Sequence, residues 1–387
     1  MVSVASNLEA IKSNDSSNRF YAVTLDAFST FDACGGFSLM GSSDKNYVEI
    51  IIPSYNDMKN GITTYLVVSN GVKVIVTETN KGDRRRLKAT PAVSFGEDGY
   101  WESLQIANGF NNAFDQLFFD PTITNDQINS ISTFNLLKDT VKFTKTNYGA
   151  FSQISNEGIS KFVKHAVIGT FASYFMSQTG IDEEAEYNQI IGFWTSYFAE
   201  RSANIYNKEH NTNQKIYMFN HSGKDSNGNS ANILGLVGIG NMTKTIANAE
   251  HGDGKTVNKG VYANYQDAIS DTDLTDKSYG IMNLNESKER WYGEAIDNGS
   301  GQPSSWLFKG LTFGNANWKS NPFVNIGGAI GYLFTNILYG TPEGTGFHTN
   351  LSEANWLEAA YRYNKSKRYI EKINASWILF NKIKGGK

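Results

Sequence analysis

The chain has 387 residues and a net charge of −3, with 40% hydrophobic and 19% charged residues. It is long enough to bury a core unaided, its charge is too sparse for a disordered chain, and its near-neutral balance gives no general drive toward nucleic acid or anionic membrane. The one cysteine, Cys34, excludes intramolecular disulfides and cysteine-rich zinc sites.

Residues 1–19 are polar and read as a flexible arm. The start of the chain has neither a basic region nor an apolar stretch, so no signal peptide is expected. A β-rich region follows over residues 20–98. Phe20–Leu25 and Tyr47–Ile52 are strand candidates. Tyr65–Ser69 and Val72–Thr77 flank Asn70-Gly71, the pair that supplies both positive-φ residues of a type I′ hairpin turn. Ala92–Phe95 reads as a further strand.

The hydrophobic period then changes, and residues 99–210 read as helical. Phe110, Phe114, Leu117 and Phe118 recur at helical spacing ahead of Pro121. Gly158–Gln178 carries a broad apolar stripe, and Gly180 ends it. Acidic residues at 182–186 open a second helix carrying Tyr187, Ile190, Ile191, Trp194, Phe198 and Ile205, so a central αα-hairpin is expected.

Residues 211–387 read as an α/β region. Lys215–Phe219 is a short strand, His221–Ser230 a polar loop, and Ile233–Ile239 an apolar run. Residues 252–317 are irregular. Ser320–Pro342 carries no charge and contains the GxxxG match Gly327–Gly331, but polar residues interrupt it, so it reads as a buried helix or strand pair. One long helix from Ser352 to about Phe380 closes the chain. The fold class is therefore α+β: a β-rich N-terminal region with a hairpin, a central αα-hairpin, and a C-terminal α/β portion ending in a long helix.

Asn, at 42 residues, outnumbers even Gly at 36, and aromatic residues reach 13%. Asn suits turns and wet surfaces, and Tyr and Trp with few charges suit contacts between subunits or with glycans. An AT-rich coding bias gives the same composition.

Chemistry-bearing motifs are few. His165 sits beside core positions on a helix, and His210, His221, His251 and His348 read as loop residues without metal-ligand spacing. Cys34 has no neighbouring base in sequence. Ala249–Thr256 matches a phosphate loop with Ala for its first Gly; Gly254, Lys255 and Thr256 would hold phosphate and Mg²⁺, given a strand before and a helix after. Gly235-Leu-Val-Gly238-Ile-Gly240 lacks dinucleotide spacing and reads as a closely packed strand. Lys81–Lys88, with Arg84, Arg85 and Arg86, reads as a solvated basic loop or a contact between subunits. Glu289 and Glu294 beside Trp291 fit a glycosidase pair.

From Tyr187 to Trp318 the order of features resembles the core of bacteriophage contractile-tail sheath proteins. A helix through Glu200–Asn204 leads to the short strand at Lys215–Phe219. A small-residue apolar segment follows at Ile233–Gly240, then a Gly-Ile-x-x-Leu step at Gly280–Leu284. The similarity spans about a third of the chain. It implies a self-assembling virion subunit that forms rings or tubes, needs no cofactor or catalytic site, and is assembled in the host cytoplasm. Its partners would be copies of itself and other virion proteins, with no membrane and no specific nucleic acid. Arg84, Arg85, Arg86, Trp356 and Trp377 are the interface candidates. Two alternatives stand beside it. One is a carbohydrate-binding or carbohydrate-active protein stacking sugars on Trp291, Trp306, Trp318 and Trp356. The other is a nucleotide-binding enzyme using residues 249–256.

Overall fold

The structure is a computed structural model that describes residues 29–31, 37–39, 45–81, 84–178, 184–225, 228–251, 278–285, 307–313, 316–340, 351–364 and 366–384. It is an α+β protein. The polypeptide divides into two compact units: Met1–Phe119, Ile123–Thr146 and Ile159–Val167 form the first, and Asp120–Thr122, Asn147–Gly158 and Ile168–Lys387 form the second.

The first unit holds a small β1 (Ser29–Phe31) and β2 (Phe37–Leu39) pair and an antiparallel sheet in the order β3 (Tyr47–Ile51), β4 (Ile62–Ser69), β5 (Val72–Lys81), β6 (Arg84–Pro91). Asn70 at φ 52° and Gly71 at φ 82° make the β4–β5 turn expected from their sequence. A short helix, α1 (Tyr55–Lys59), precedes β4 behind a Ser54–Asp57 capping box. The pleat puts Val48, Tyr65, Val67, Val74, Val76 and Ala89 on one face. Against it packs α2 (Tyr100–Phe118), which buries Ile106, Ala107, Phe110, Ala113, Phe114 and Leu117 at the spacing read in the sequence.

The outer edge of β6 is closed by side chains. Asn111 of α2 accepts the Ala89 N–H through Oδ1 and donates Nδ2 to the Ala89 carbonyl, both at 2.8 Å. An amide side chain here replaces the next strand. Ala92–Phe95 is not a strand as expected, because the ladder stops at Pro91 and the chain turns into α2.

Between α2 and the αα-hairpin lie two helices with no clear signature in the sequence: α3 (Asn125–Asn129), behind a Thr124–Gln127 capping box, and α4 (Thr133–Ile154). The stripe of α4 is masked by threonines at core positions. Thr140 donates to the Leu136 carbonyl and Thr144 to that of Thr140, at 2.7 and 2.8 Å, so both hydroxyls are buried satisfied. The expected αα-hairpin is present as α5 (Gly158–Ser173) and α6 (Glu184–His210).

In the second unit, β7 (His221–Lys224) and β8 (Ser230–Ile233) pair where a polar loop was expected. Helix α7 (Leu236–His251) follows. The apolar run Ile233–Ile239 therefore bridges a strand end and a helix start, and Gly235, Gly238 and Gly240 do not lie in a strand. A second small pair joins β9 (Ser278–Tyr279) to β10 (Leu284–Asn285).

Lys215–Phe219 is not a strand either. Its amides are taken by side chains. Met218 N–H donates to Asp120 Oδ2 at 2.6 Å, and Phe219 N–H to Thr122 Oγ1 at 3.1 Å. Its carbonyls go to the start of α7. Leu236 N–H donates to Tyr217 O at 2.9 Å and Val237 N–H to Met218 O at 3.0 Å. With these groups taken, the segment becomes a clamp between Asp120-Pro121-Thr122 and α7. Asp120→Ala is expected to lower stability by about 1.5–3 kcal/mol, the worth of hydrogen bonds to a charged group, in urea unfolding of the intact chain. An unchanged midpoint would contradict the clamp.

The uncharged stretch forms helix α8 (Pro322–Gly340), a buried helix as expected. No helix among the described residues is long and apolar enough to cross a membrane. Its GxxxG serves close packing on aromatic rings. A Cβ at Gly327 would meet Trp194 Cε2 at 2.5 Å, and one at Gly331 would meet Phe198 Cζ at 2.8 Å. The final helix is divided into α9 (Glu353–Tyr361) and α10 (Lys367–Lys384). Ser366 causes the break: its Oγ accepts the Tyr369 N–H at 3.2 Å as the N-cap of a new helix.

Candidate interaction surface

The basic stretch is strand, not loop. Arg84 pairs with Lys81 across the β5–β6 ladder. Arg85 points to the inner face, where its Nε lies 3.0 Å from Glu78 Oε1 and its Nη1 donates to the carbonyls of Ile128 and Ile131 at 3.2 and 2.6 Å. Tyr65 donates to Glu78 Oε2 at 2.7 Å, and burial followed by that hydrogen bond pushes the phenol well above its ordinary range. Arg85 is thus held inside its own chain. Arg86 and Lys88 alternate onto the opposite face and are exposed.

The two tryptophans expected at an interface are internal. Trp356 is 1% exposed and Trp377 4%. Trp377 donates its indole N–H to Glu353, and Trp356 packs edge-on to Phe334 at 5.3 Å. Trp318, expected as a sugar platform, is buried at 3%. Apolar bulk at helical spacing on α9 and α10 went into the core, the ordinary fate of such residues. Trp291, Trp306, Glu289, Glu294, Cys34 and His348 lie outside the described residues.

Gly254, Lys255 and Thr256 also lie outside the described residues. The segment before them is the end of helix α7, where a phosphate loop requires a strand. The glycine-rich start of α7 has its amides occupied: besides Leu236 and Val237, Gly235 N–H donates to Asn220 Oδ1 at 3.0 Å. These three amides are thereby withheld from an anion. His165 is buried on α5, and His210 and His221 sit in α6 and β7 where loops were expected. No group of His, Cys, Asp or Glu among the described residues could hold a metal ion.

One buried charge pair joins residues 60 positions apart in sequence. Lys244 of α7 is 0% exposed and bonds Glu184 of α6 and the Ser177 carbonyl. Its ammonium also lies 5.5 Å from the Phe380 ring of α10. Burial, partly opposed by Glu184, lowers its pKa to about 8. Asn241 Oδ1 accepts the Ser177 N–H at 2.9 Å, and Ser177 Oγ donates to the Phe380 carbonyl at 2.8 Å. The group ties α6, α7 and α10 together from inside.

Among the described residues, exposed aromatic rings cluster in the turn between β6 and α2. Phe95 is 77% exposed and Trp101 62%, with Tyr100 half-buried between them. The three rings form an edge-to-face triangle, with centroids 5.3 Å apart for Phe95–Tyr100, 6.1 Å for Phe95–Trp101 and 5.3 Å for Tyr100–Trp101. The turn is built to hold them. Gly96 and Gly99 take φ of 93° and 82°, Ser94 N–H donates to Glu97 Oε2 at 2.8 Å, and Tyr100 N–H donates to Glu97 O at 3.2 Å. Exposed Glu97, Asp98 and Glu102 rim the rings. The sequence places Phe95 in a strand and Tyr100 and Trp101 at the start of a helix; the signal for the turn is Gly96 and Gly99 interrupting an aromatic run. No family model, curated protein or solved structure matches the chain.

Proposed function

We propose that the protein is a self-assembling structural subunit, of the kind that builds the rings or tubes of a contractile phage tail sheath. The observation that supports this reading is the Phe95–Tyr100–Trp101 triangle. Rings of this size facing water forgo roughly 1.5–3 kcal/mol each of burial free energy. Held together on a preorganised turn, they match the aromatic anchors that dominate protein interfaces. Such a subunit would be carried in the virion after assembly in the host cytoplasm, and would contact copies of itself and other virion proteins. Negative-stain microscopy of the purified chain at high concentration is expected to reveal rings or tubes. Dispersed single subunits would overturn the reading.

The same triangle favours a second reading, in which the rings stack on sugar faces and Glu97, Asp98 and Glu102 accept sugar hydroxyls. Tryptophan fluorescence that responds to a glycan panel, and stops responding in Trp101→Ala, would favour it over self-assembly.

A further inference from the structure

Resting on that self-assembly reading, we infer that the aromatic turn of one copy docks on the outward face of β6 in a second copy, with the Arg86 guanidinium over the Trp101 indole. The two surfaces are complementary. The turn presents three rings bordered by Glu97, Asp98 and Glu102, all three acids exposed. The outward face of β6 presents exposed Arg86 and Lys88, and its neighbour β5 adds exposed Lys73 and Lys81. Between these cations lie half-buried Ile75, Thr77 and Thr79, cross-strand from Thr90, Lys88 and Arg86. They give the rings an uncharged floor.

The chemistry assigns each part. A guanidinium over an indole face gains cation–π attraction that grows as water leaves. Carboxylates meeting Lys88 and its neighbours steer the encounter and fix register. Each surface repels its own kind: the turn is acidic throughout, and the strand face is basic throughout. A two-fold contact of either patch with itself is thereby disfavoured. The contact is head-to-tail, and such contacts propagate into rings or open filaments instead of stopping at a dimer.

The test uses two full-length variants at exposed positions. Trp101→Ala lacks the anchor but keeps the receiving strand; Arg86→Glu keeps the anchor but spoils the strand. Light scattering after size exclusion is expected to find self-association at least about tenfold weaker in each, with circular dichroism unchanged. An equimolar mixture is expected to form a one-to-one pair and go no further, because it holds one good anchor and one good strand. If either variant assembles like wild type, or the mixture stays monomeric, this contact is wrong while the self-assembly reading survives. A monomeric wild type removes both.

Discussion

Replacing Trp194 by alanine is expected to lower the stability of the protein by about 3–5 kcal/mol, the range for deleting a large buried aromatic. The indole is 0% exposed and sits among Phe151, Phe193, Tyr197, Phe198, Phe313 and Phe323, with centroids between 4.9 and 6.1 Å away. Its N–H donates to the Phe323 carbonyl at 2.7 Å. Gly327 lets α8 lie directly on the ring, so the neighbours cannot close over the space left behind. Urea unfolding measures the loss. Trp101→Ala, at an exposed position, is expected to move the same curve by less than about 0.5 kcal/mol. Equal effects of the two substitutions would contradict the assignment of one ring to the core and the other to contact.

The second large effect concerns the buried pair. Glu184→Gln is expected to cost about 3–5 kcal/mol, because it removes the carboxylate paired with the Lys244 charge inside the protein. Lys244→Met is expected to cost a similar amount, because it removes the cation paired with the Glu184 carboxylate, itself buried at 3% exposure. The pH dependence has a definite sign. Folded, Lys244 titrates near pH 8; unfolded, near about 10.4. Between those values the unfolded chain keeps a proton the folded chain has lost, so the contribution of Lys244 to stability rises with pH across that window. Unfolding midpoints measured from pH 7 upward are expected to show this rise in wild type relative to Lys244→Met. Parallel curves for the two proteins would contradict it.

Local chemistry was legible where it acts locally. Asn70-Gly71 specifies its hairpin by backbone conformation alone, and the Phe110–Phe114–Leu117 spacing specifies one face of α2. The same holds for the pair α5 and α6. What the sequence concealed depends on partners distant along the chain. Lys215–Phe219 has the composition of a strand, but Asp120 and Thr122 take the amides of Met218 and Phe219. Arg85 has the composition of a basic patch, but Glu78 and two carbonyls draw it inside. Three of the Asn residues act in a related way. Asn111, Asn220 and Asn325 carry a donor and an acceptor on one short stem, and here they bond backbone groups that lack a strand or helix partner. Asn expected on wet surfaces is thus used, at these positions, as internal backbone.

The surface was the least legible part. Trp356 and Trp377, expected at an interface, are turned inward by their helices. Phe95, Tyr100 and Trp101 looked like ordinary strand and helix residues, and two positive-φ glycines turned two of the three outward. Whether a ring meets solvent depends on how a turn aims it, and periodicity does not carry that information.

Sedimentation velocity over a concentration series, run on wild type and Trp101→Ala side by side, tests the central idea most directly. The account predicts that the wild-type coefficient climbs with concentration and that the variant stays at the value of one subunit. A single monomeric boundary for wild type at every concentration would contradict it.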